Sequence, residues 1–338
     1  MEPTGYINQI AETVKTDEQL REFAPMKIGQ GEWENELLLF VKPELLMVED
    51  PQAIKNSLEL VFAKLAEFKA QVDGMMLVGG RLLEQYEIMN RHYGYINLLS
   101  RKASEIIDPA DRQKVFEMLN LSPSDAGAYT LLGGHEYLKR YPGEDVYQLN
   151  QLWHTKKSLK LRSGFYFEAY EKGPDKLILI NAFHPVQLAH FTEASHRILL
   201  VLVHSNSGWP ALRDEMIGVT FPEKALPESI RGTLYANPRK FGLEAVGIGN
   251  NGVHLSAGPF EGMFEIQNFL GSILKSDPQA RPPLLLKKMM AKGMGFDEAL
   301  GALKNPPLEA NGRATDLFSA TENMDSDEAI AFWMKAKG

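Results

Sequence analysis

The stretch Asn251-Gly252-Val253-His254-Leu255-Ser256-Ala257-Gly258-Pro259, running on through Phe260-Glu261-Gly262-Met263-Phe264-Glu265, decides how this chain is read. Val253 to Ala257 predicts a short strand. Gly258-Pro259 ends it and places a proline at the first position of a helix to Leu274, with Phe260, Met263, Phe264, Phe269 and Leu270 available for its buried face. Side-chain direction alternates along a strand, so His254 and Ser256 project from one face. Glu265 stands eleven residues beyond His254, where a strand–turn–helix unit would fold its carboxylate back onto the imidazole. Such a carboxylate fixes the ring's tautomer and leaves the other nitrogen for nucleophilic attack. A lone strand histidine is more often a packing residue, and spacing alone keeps packing slightly ahead. Just upstream, Gly247-Ile248-Gly249-Asn250-Asn251-Gly252 spells G-x-G-x-x-G. A dinucleotide site needs a helix to open there and present its N-terminus to a pyrophosphate. A strand follows instead, so a plain turn is the better reading, and a nicotinamide oxidoreductase has no other support.

Working outward, Leu37 to Val41 and the wholly aliphatic Ile198 to Val203 predict buried strands, and Gly74 to Leu83 another. The strand 198–203 needs neighbours on both edges, which 37–41 and 253–257 can supply. Asp50-Pro51 opens a helix whose Ile54, Leu58, Val61, Leu65 and Phe68 recur at helical spacing. Gln85 to Ile107 reads as helical. Asp108-Pro109 and Ser122-Pro123 are further cap-plus-proline starts, and Phe165–Tyr170 and Lys176–Ile180 are two strands. Asp325-Ser326-Asp327-Glu328 reads as a capping box. His184, His190, His196 and His204 contain no i, i+4 pair, so no helical metal pair is read and no protein metal site is expected. Interleaved helices with meander-like strands argue for an α+β fold. The parts read as an arm over 1–34, a core over 35–100 and 196–277, a mainly helical insertion over 101–195, and a helical C-terminal extension over 278–338.

The 338 residues suffice for about two domains at ~150 residues each. With 36 Lys and Arg against 44 Asp and Glu the net charge is −8, which disfavours duplex nucleic acid, where phosphate neutralisation supplies much of the affinity. The absence of cysteine removes disulfides, thiol catalysis and thiolate metal sites together. The opening MEPTGYINQIAETVKTDEQL has neither a basic nor an apolar signal region, and no aliphatic run approaches the ~20 residues of a membrane span. No membrane partner is therefore expected, and the expected compartment is the cytoplasm.

Nine segments then fall in the order found in the nucleoside diphosphate kinase family. They are Phe40-Val41-Lys42-Pro43-Glu44, Arg91-His92-Tyr93, the strand 198–203, Gly218-Val219-Thr220-Phe221-Pro222, Pro227-Glu228-Ser229-Ile230-Arg231-Gly232, Asn251, His254, Ser256 and Glu265. The chain resembles that family over about 35–105 and 196–275. The resemblance implies a ferredoxin-like antiparallel sheet with helices and a ping-pong phosphotransferase. His254 would take the γ-phosphate of a nucleoside triphosphate such as ATP and pass it to a nucleoside diphosphate. Glu265 would orient His254, with Ser256 beside it. Lys42, Thr220, Arg231 and Arg213 would meet phosphates, Asn251 the ribose, and Tyr93 would brace the site. Mg2+ would be held by the nucleotide's phosphates. The family forms hexamers built from dimers, so a homo-oligomer is compatible with the resemblance.

The family's H-G-S-D is here His254-Leu255-Ser256-Ala257, and a bulky Leu255 beside the nucleophile would narrow the pocket. The family's second phosphate arginine belongs six residues before Thr220, at Asp214, with Arg213 one residue earlier. The family's base-stacking aromatic has no clear counterpart after Tyr93, where Leu98-Leu99-Ser100-Arg101 follows. These departures motivate an alternative: a nucleotide-binding or protein-interaction module with weak or no transfer.

Overall fold

The computed structural model describes residues 2–310 and 312–337. Its strands, in chain order, are β1 (Leu20–Ala24), β2 (Asn35–Val41), β3 (Gln71–Gly79), β4 (Tyr129–Gly133), β5 (Leu159–Arg162), β6 (Phe165–Lys172), β7 (Asp175–Ile180), β8 (Arg197–Ser205), β9 (Val253–Leu255), β10 (Pro307–Ala310) and β11 (Arg313–Asp316). The chain divides into two compact units: one built from Met1–Ile88 and Glu193–Gly338, the other from Met89–Thr192. The fold is mixed α+β with an antiparallel main sheet and many helices.

The first unit is built on a five-stranded sheet of order β1-β3-β8-β2-β9, antiparallel at every pairing. β2 and β8 are buried along their whole length, which is why they read as near-continuous aliphatic runs rather than alternating ones. One face carries Leu37, Leu39 and Val41 of β2 with Leu199, Val201 and Val203 of β8, and buries them against the helix Pro51–Glu67. That helix starts where Asp50 accepts from the Gln52 N–H at 2.9 Å, and buries Ile54, Leu58, Val61 and Leu65. Each such side chain contributes about 1.5–3 kcal/mol on full burial.

Residues 1–34 are more than the expected arm. They form the helix Ile7–Thr13 and the edge strand β1, whose Leu20 pairs with Val78 of β3. The sequence Leu-Arg-Glu-Phe-Ala hides this strand because its first three residues are exposed. The C-terminal residues form the helices Leu284–Ala291, Phe296–Leu300 and Ser326–Lys337, plus the hairpin β10–β11 that composition did not announce. They enclose a second core in which Phe260 and Met263 meet Leu285, Met289, Ala329, Ile330 and Trp333. Asp325 is not the local cap its sequence suggested. Its Oδ1 accepts from Asn35 Nδ2 and from the Trp209 N–H, both at 2.9 Å, and so ties the last helix to β2.

The second unit carries a sheet of its own, order β4-β7-β6-β5, with β4 parallel to β7 and the other pairs antiparallel. Helices make up more of this unit than strands do, but β4 and β5 join the two strands expected there into a sheet, and the compact unit runs from Met89 to Thr192 rather than over 101–195. The helix expected over 85–107 is broken near Glu87 and Gly94, both at positive φ, into Gly80–Gln85, Ile88–His92 and Gly94–Ile106. The expected helix starts stand: Asp108 accepts from the Asp111 N–H and Ser122 from that of Asp125.

Candidate active site

β9 pairs with β2 so that His254 lies opposite Phe40, and the two rings stack at 4.4 Å with 19° between their planes. Val253 and Leu255 point the other way, into the core of the sheet. The expected narrowing of the pocket by Leu255 therefore does not arise, because strand alternation turns that side chain away from His254. Beyond the turn, Pro259 opens the helix Pro259–Ile266. Gly262 allows that helix to lie close on β2: a Cβ there would stand 3.1 Å from the Glu36 carbonyl oxygen.

This approach carries Glu265, fully buried, onto the strand. Its Oε1 lies 2.6 Å from His254 Nε2, and its Oε2 accepts from the Ser256 hydroxyl at 2.5 Å. Ser256 Oγ in turn accepts from the Leu38 N–H at 3.1 Å. A carboxylate at Nε2 makes that nitrogen the proton-bearing one, so the lone pair of the neutral ring sits on Nδ1.

Three cations bear on this imidazole. Lys42 directly follows β2, and its backbone N–H donates to the Gly252 carbonyl at 2.9 Å. Its Nζ donates to Asn251 Oδ1 at 2.6 Å, while Asn251 Nδ2 donates to the Ile248 carbonyl. Gly252 takes φ +79°, which favours glycine, and its N–H donates to Glu44. Arg231 sits in the helix Ile230–Ala236, capped by Ser229, and donates to the carbonyls of Gly218 at 2.8 Å and Val253 at 3.0 Å. Its Nε is buried without a partner among the described residues. Arg213 lies in a wide π-helical turn, Ala211–Ile217, closed by the Gly218 N–H donating back five residues to the Arg213 carbonyl at 3.0 Å. That turn holds one residue more than an α-helical one. Arg213, not position 214, is thereby the residue turned inward, and Asp214 is exposed.

Burial, then the charges of Lys42, Arg231 and Arg213, hold His254 well below the usual histidine range, so the ring is neutral at pH 7. Burial also lowers Lys42, opposed by Glu44 and reinforced by Arg231. Burial and Arg213 push Arg231 down to about 10, still charged at neutral pH. Burial and then Glu265 push the Glu261 carboxyl up to about 8, while its Oε2 accepts from the Ala257 N–H at 2.9 Å.

The structure thus brings together His254, Glu265, Ser256, Lys42, Asn251, Arg231 and Arg213. Thr220 is exposed on the loop after Gly218 and makes no side-chain hydrogen bond among the described residues. Tyr93 belongs to the second unit, where its ring meets His184 edge-on at 5.3 Å. The glycine-rich segment closes on itself through mutual Gly247 and Asn250 backbone bonds and enters β9, with no helix after it. Sequence reasoning missed Phe40 as the floor beneath His254, Glu261 beside Ala257, and Glu322 and Asn323, which both accept from Arg213. Of these only Glu261, one helical turn before Glu265, left a local signal.

No family model matches the chain, and no curated protein matches it. Among solved structures it is similar to an NDP kinase from Pyrobaculum aerophilum, at 16% identity and a TM-score of 0.31, over 70% of this chain and 94% of that one. No helix among the described residues is long and apolar enough to cross a membrane.

Proposed function

We propose that the chain transfers the γ-phosphate of a nucleoside triphosphate to a nucleoside diphosphate through a phosphohistidine at His254. The observation that carries this reading is a neutral imidazole whose Nε2 is taken by a buried carboxylate while three cations bear on the ring. Nδ1 would attack the γ-phosphorus. The P–N bond forms, the bond from phosphorus to the β–γ bridging oxygen breaks, and the electron pair leaves with the diphosphate. A second diphosphate then reverses the step, its terminal β-phosphate oxygen displacing Nδ1. Glu265 stabilises the charge that develops on the ring, and Ser256 holds Glu265. Lys42 and Arg231 face the charge on the transferring oxygens, Arg213 joins them, and Asn251 positions Lys42 and meets the ribose. Charge stabilisation and positioning are most of what phosphoryl transfer asks of a protein.

The donor set here is ammonium, guanidinium and amide, and both Glu265 oxygens are engaged within the protein. It suits phosphate oxygens rather than a divalent cation, so Mg2+ would enter with the nucleotide, held by the nucleotide's own phosphates, and would supply further neutralisation of their charge. Leu255 faces the core, and both polar groups of the Ala257 peptide are bonded, so these two departures do not obstruct the site. On that ground the transferase reading stands ahead of a nucleotide-binding or protein-interaction module.

The test is incubation with γ-labelled ATP and Mg2+. An acid-labile, base-stable label should appear on the protein, and His254→Ala should abolish it, because the nucleophile and the phosphate acceptor are one atom. Label persisting in the variant would assign the chemistry elsewhere.

A further inference from the structure

Arg213 makes all of its hydrogen bonds among the described residues through one nitrogen, Nη1. That nitrogen donates to Asn323 Oδ1 at 2.6 Å, to Glu322 Oε1 at 2.8 Å and to the Ala257 carbonyl at 3.2 Å. Two of the three acceptors come from the C-terminal extension, more than a hundred residues further along the chain. The Asn323 N–H also donates to the Ala257 carbonyl, at 3.0 Å. The extension therefore holds both Arg213 and the Ala257 carbonyl, three residues on from His254.

This turn is built and not merely draped. Thr321 is fully buried and its hydroxyl donates to the Leu317 carbonyl at 2.7 Å. The Thr321 carbonyl oxygen lies so close to Gly258 that a Cβ there would stand 2.8 Å from it. Asp325 is tied to Asn35 and Trp209. Asn323 takes φ +65°, a conformation asparagine tolerates better than most residues. An arginine side chain carries about 2 kcal/mol of rotamer entropy, so gripping one end of the guanidinium fixes the direction of the other. With Nη1 engaged, the Nε and Nη2 edge is the one left to meet an anion.

We propose that Asn323 and Glu322 are positioning residues for Arg213, so that the C-terminal extension is a working part of the nucleotide-phosphate site. The inference rests on the reading of that site given above. It deepens that reading by assigning the aim of one phosphate-facing cation to a segment outside the strands and helices that carry the other site residues.

Asn323→Gly removes the acceptor and keeps a residue suited to positive φ, so it separates positioning from folding. It should weaken MgADP binding, measured by calorimetry, and raise the nucleotide KM by about tenfold, as for one lost hydrogen bond to a charged group, with kcat within about threefold. Asn323→Asp keeps the acceptor and should restore the wild-type values. In an Arg213→Ala background, Asn323→Gly should have no further effect on affinity. Additive losses in that double variant, or wild-type affinity in Asn323→Gly, would overturn the inference. A wild-type protein that binds MgADP but takes no phosphate label would overturn the transferase reading instead, and the affinity comparison would still decide the role of Asn323.

Discussion

Two histidines look onto the same face of β2. His204 on β8 pairs with Glu36, and His254 on β9 pairs with Phe40, four residues and roughly 13 Å further along at ~3.3 Å per residue. At the first position the imidazole is fully buried between two carboxylates, with Glu36 Oε1 at 2.9 Å from Nε2 and Asp73 Oδ2 at 3.0 Å from Nδ1. At the second, one carboxylate lies behind the ring, an aromatic floor beneath it and three cations around it, and 21% of the side chain remains exposed. Burial alone would lower both histidines. The hydrogen bonds and charges of Glu36 and Asp73 reverse that at His204 and raise it, whereas Lys42, Arg231 and Arg213 add to it at His254. What separates the two imidazoles is the sign of the charges around the ring, not the strand face on which each lies.

The widest gap between the two positions should appear in stability. His204→Leu strips the cation from between Glu36 and Asp73, and breaking a buried pair in this way costs about 3–5 kcal/mol. Glu36 also accepts from the Gly29 N–H at 2.5 Å and the Leu284 N–H at 2.6 Å, so the loss reaches the loop before β2 and the start of the C-terminal helices. The histidine is raised in the fold, so its contribution is fully present below its unfolded value of ~6.5 and fades as pH rises through the folded value. Chemical denaturation of wild type and variant should therefore converge as pH rises from 6 to 9. A difference that grows instead would mean that His204 is neutral.

At His254 the corresponding perturbation should leave the fold in place and strike the chemistry. Arg231→Ala and Lys42→Ala, each removing one preorganised cation, should lower phosphate transfer by about 10²–10³, near 2.7–4 kcal/mol of transition-state stabilisation. Wild-type turnover from Lys42→Ala would detach the cations from the reaction.

The smallest effect on the chemistry belongs to Glu261, the second carboxylate on the site helix. Its folded value is raised to about 8 against an ordinary 4.5, so the fold favours its protonated form. That stability is complete below ~4.5 and lost as pH rises through about 8. Glu261→Gln, which keeps the acceptor for Ala257 and cannot ionise, should match wild type at pH 4 and melt at an increasingly higher temperature than wild type as pH rises to 9. A variant that melts lower at pH 9 would show that the ionised carboxylate is the stabilising form.

What the sequence disclosed follows from how far each signal reaches along the chain. β2 and β8 are legible because burial on both faces demands unbroken aliphatic runs, and the His254–Glu265 contact because a strand, a turn and a helix lie within eleven residues. β1 escaped because an edge strand is half exposed, and the sheet of the second unit because β4 and β5 are short and partly exposed. Glu322, Asn323 and Asp325 could not have been found at all. They reach Arg213, Asn35 and Trp209 across more than a hundred residues, and no local periodicity encodes such a contact.

The wide turn at Ala211–Ile217 sets the phase of everything before it. A helical residue advances about 100° around the axis. Removing one of the exposed residues Asp214 or Glu215 would let the turn relax to the ordinary winding, and Arg213 would rotate by about that angle away from the Ala257 carbonyl. A change of length at this point, leaving every functional side chain in the sequence, would undo the site as surely as replacing one of them.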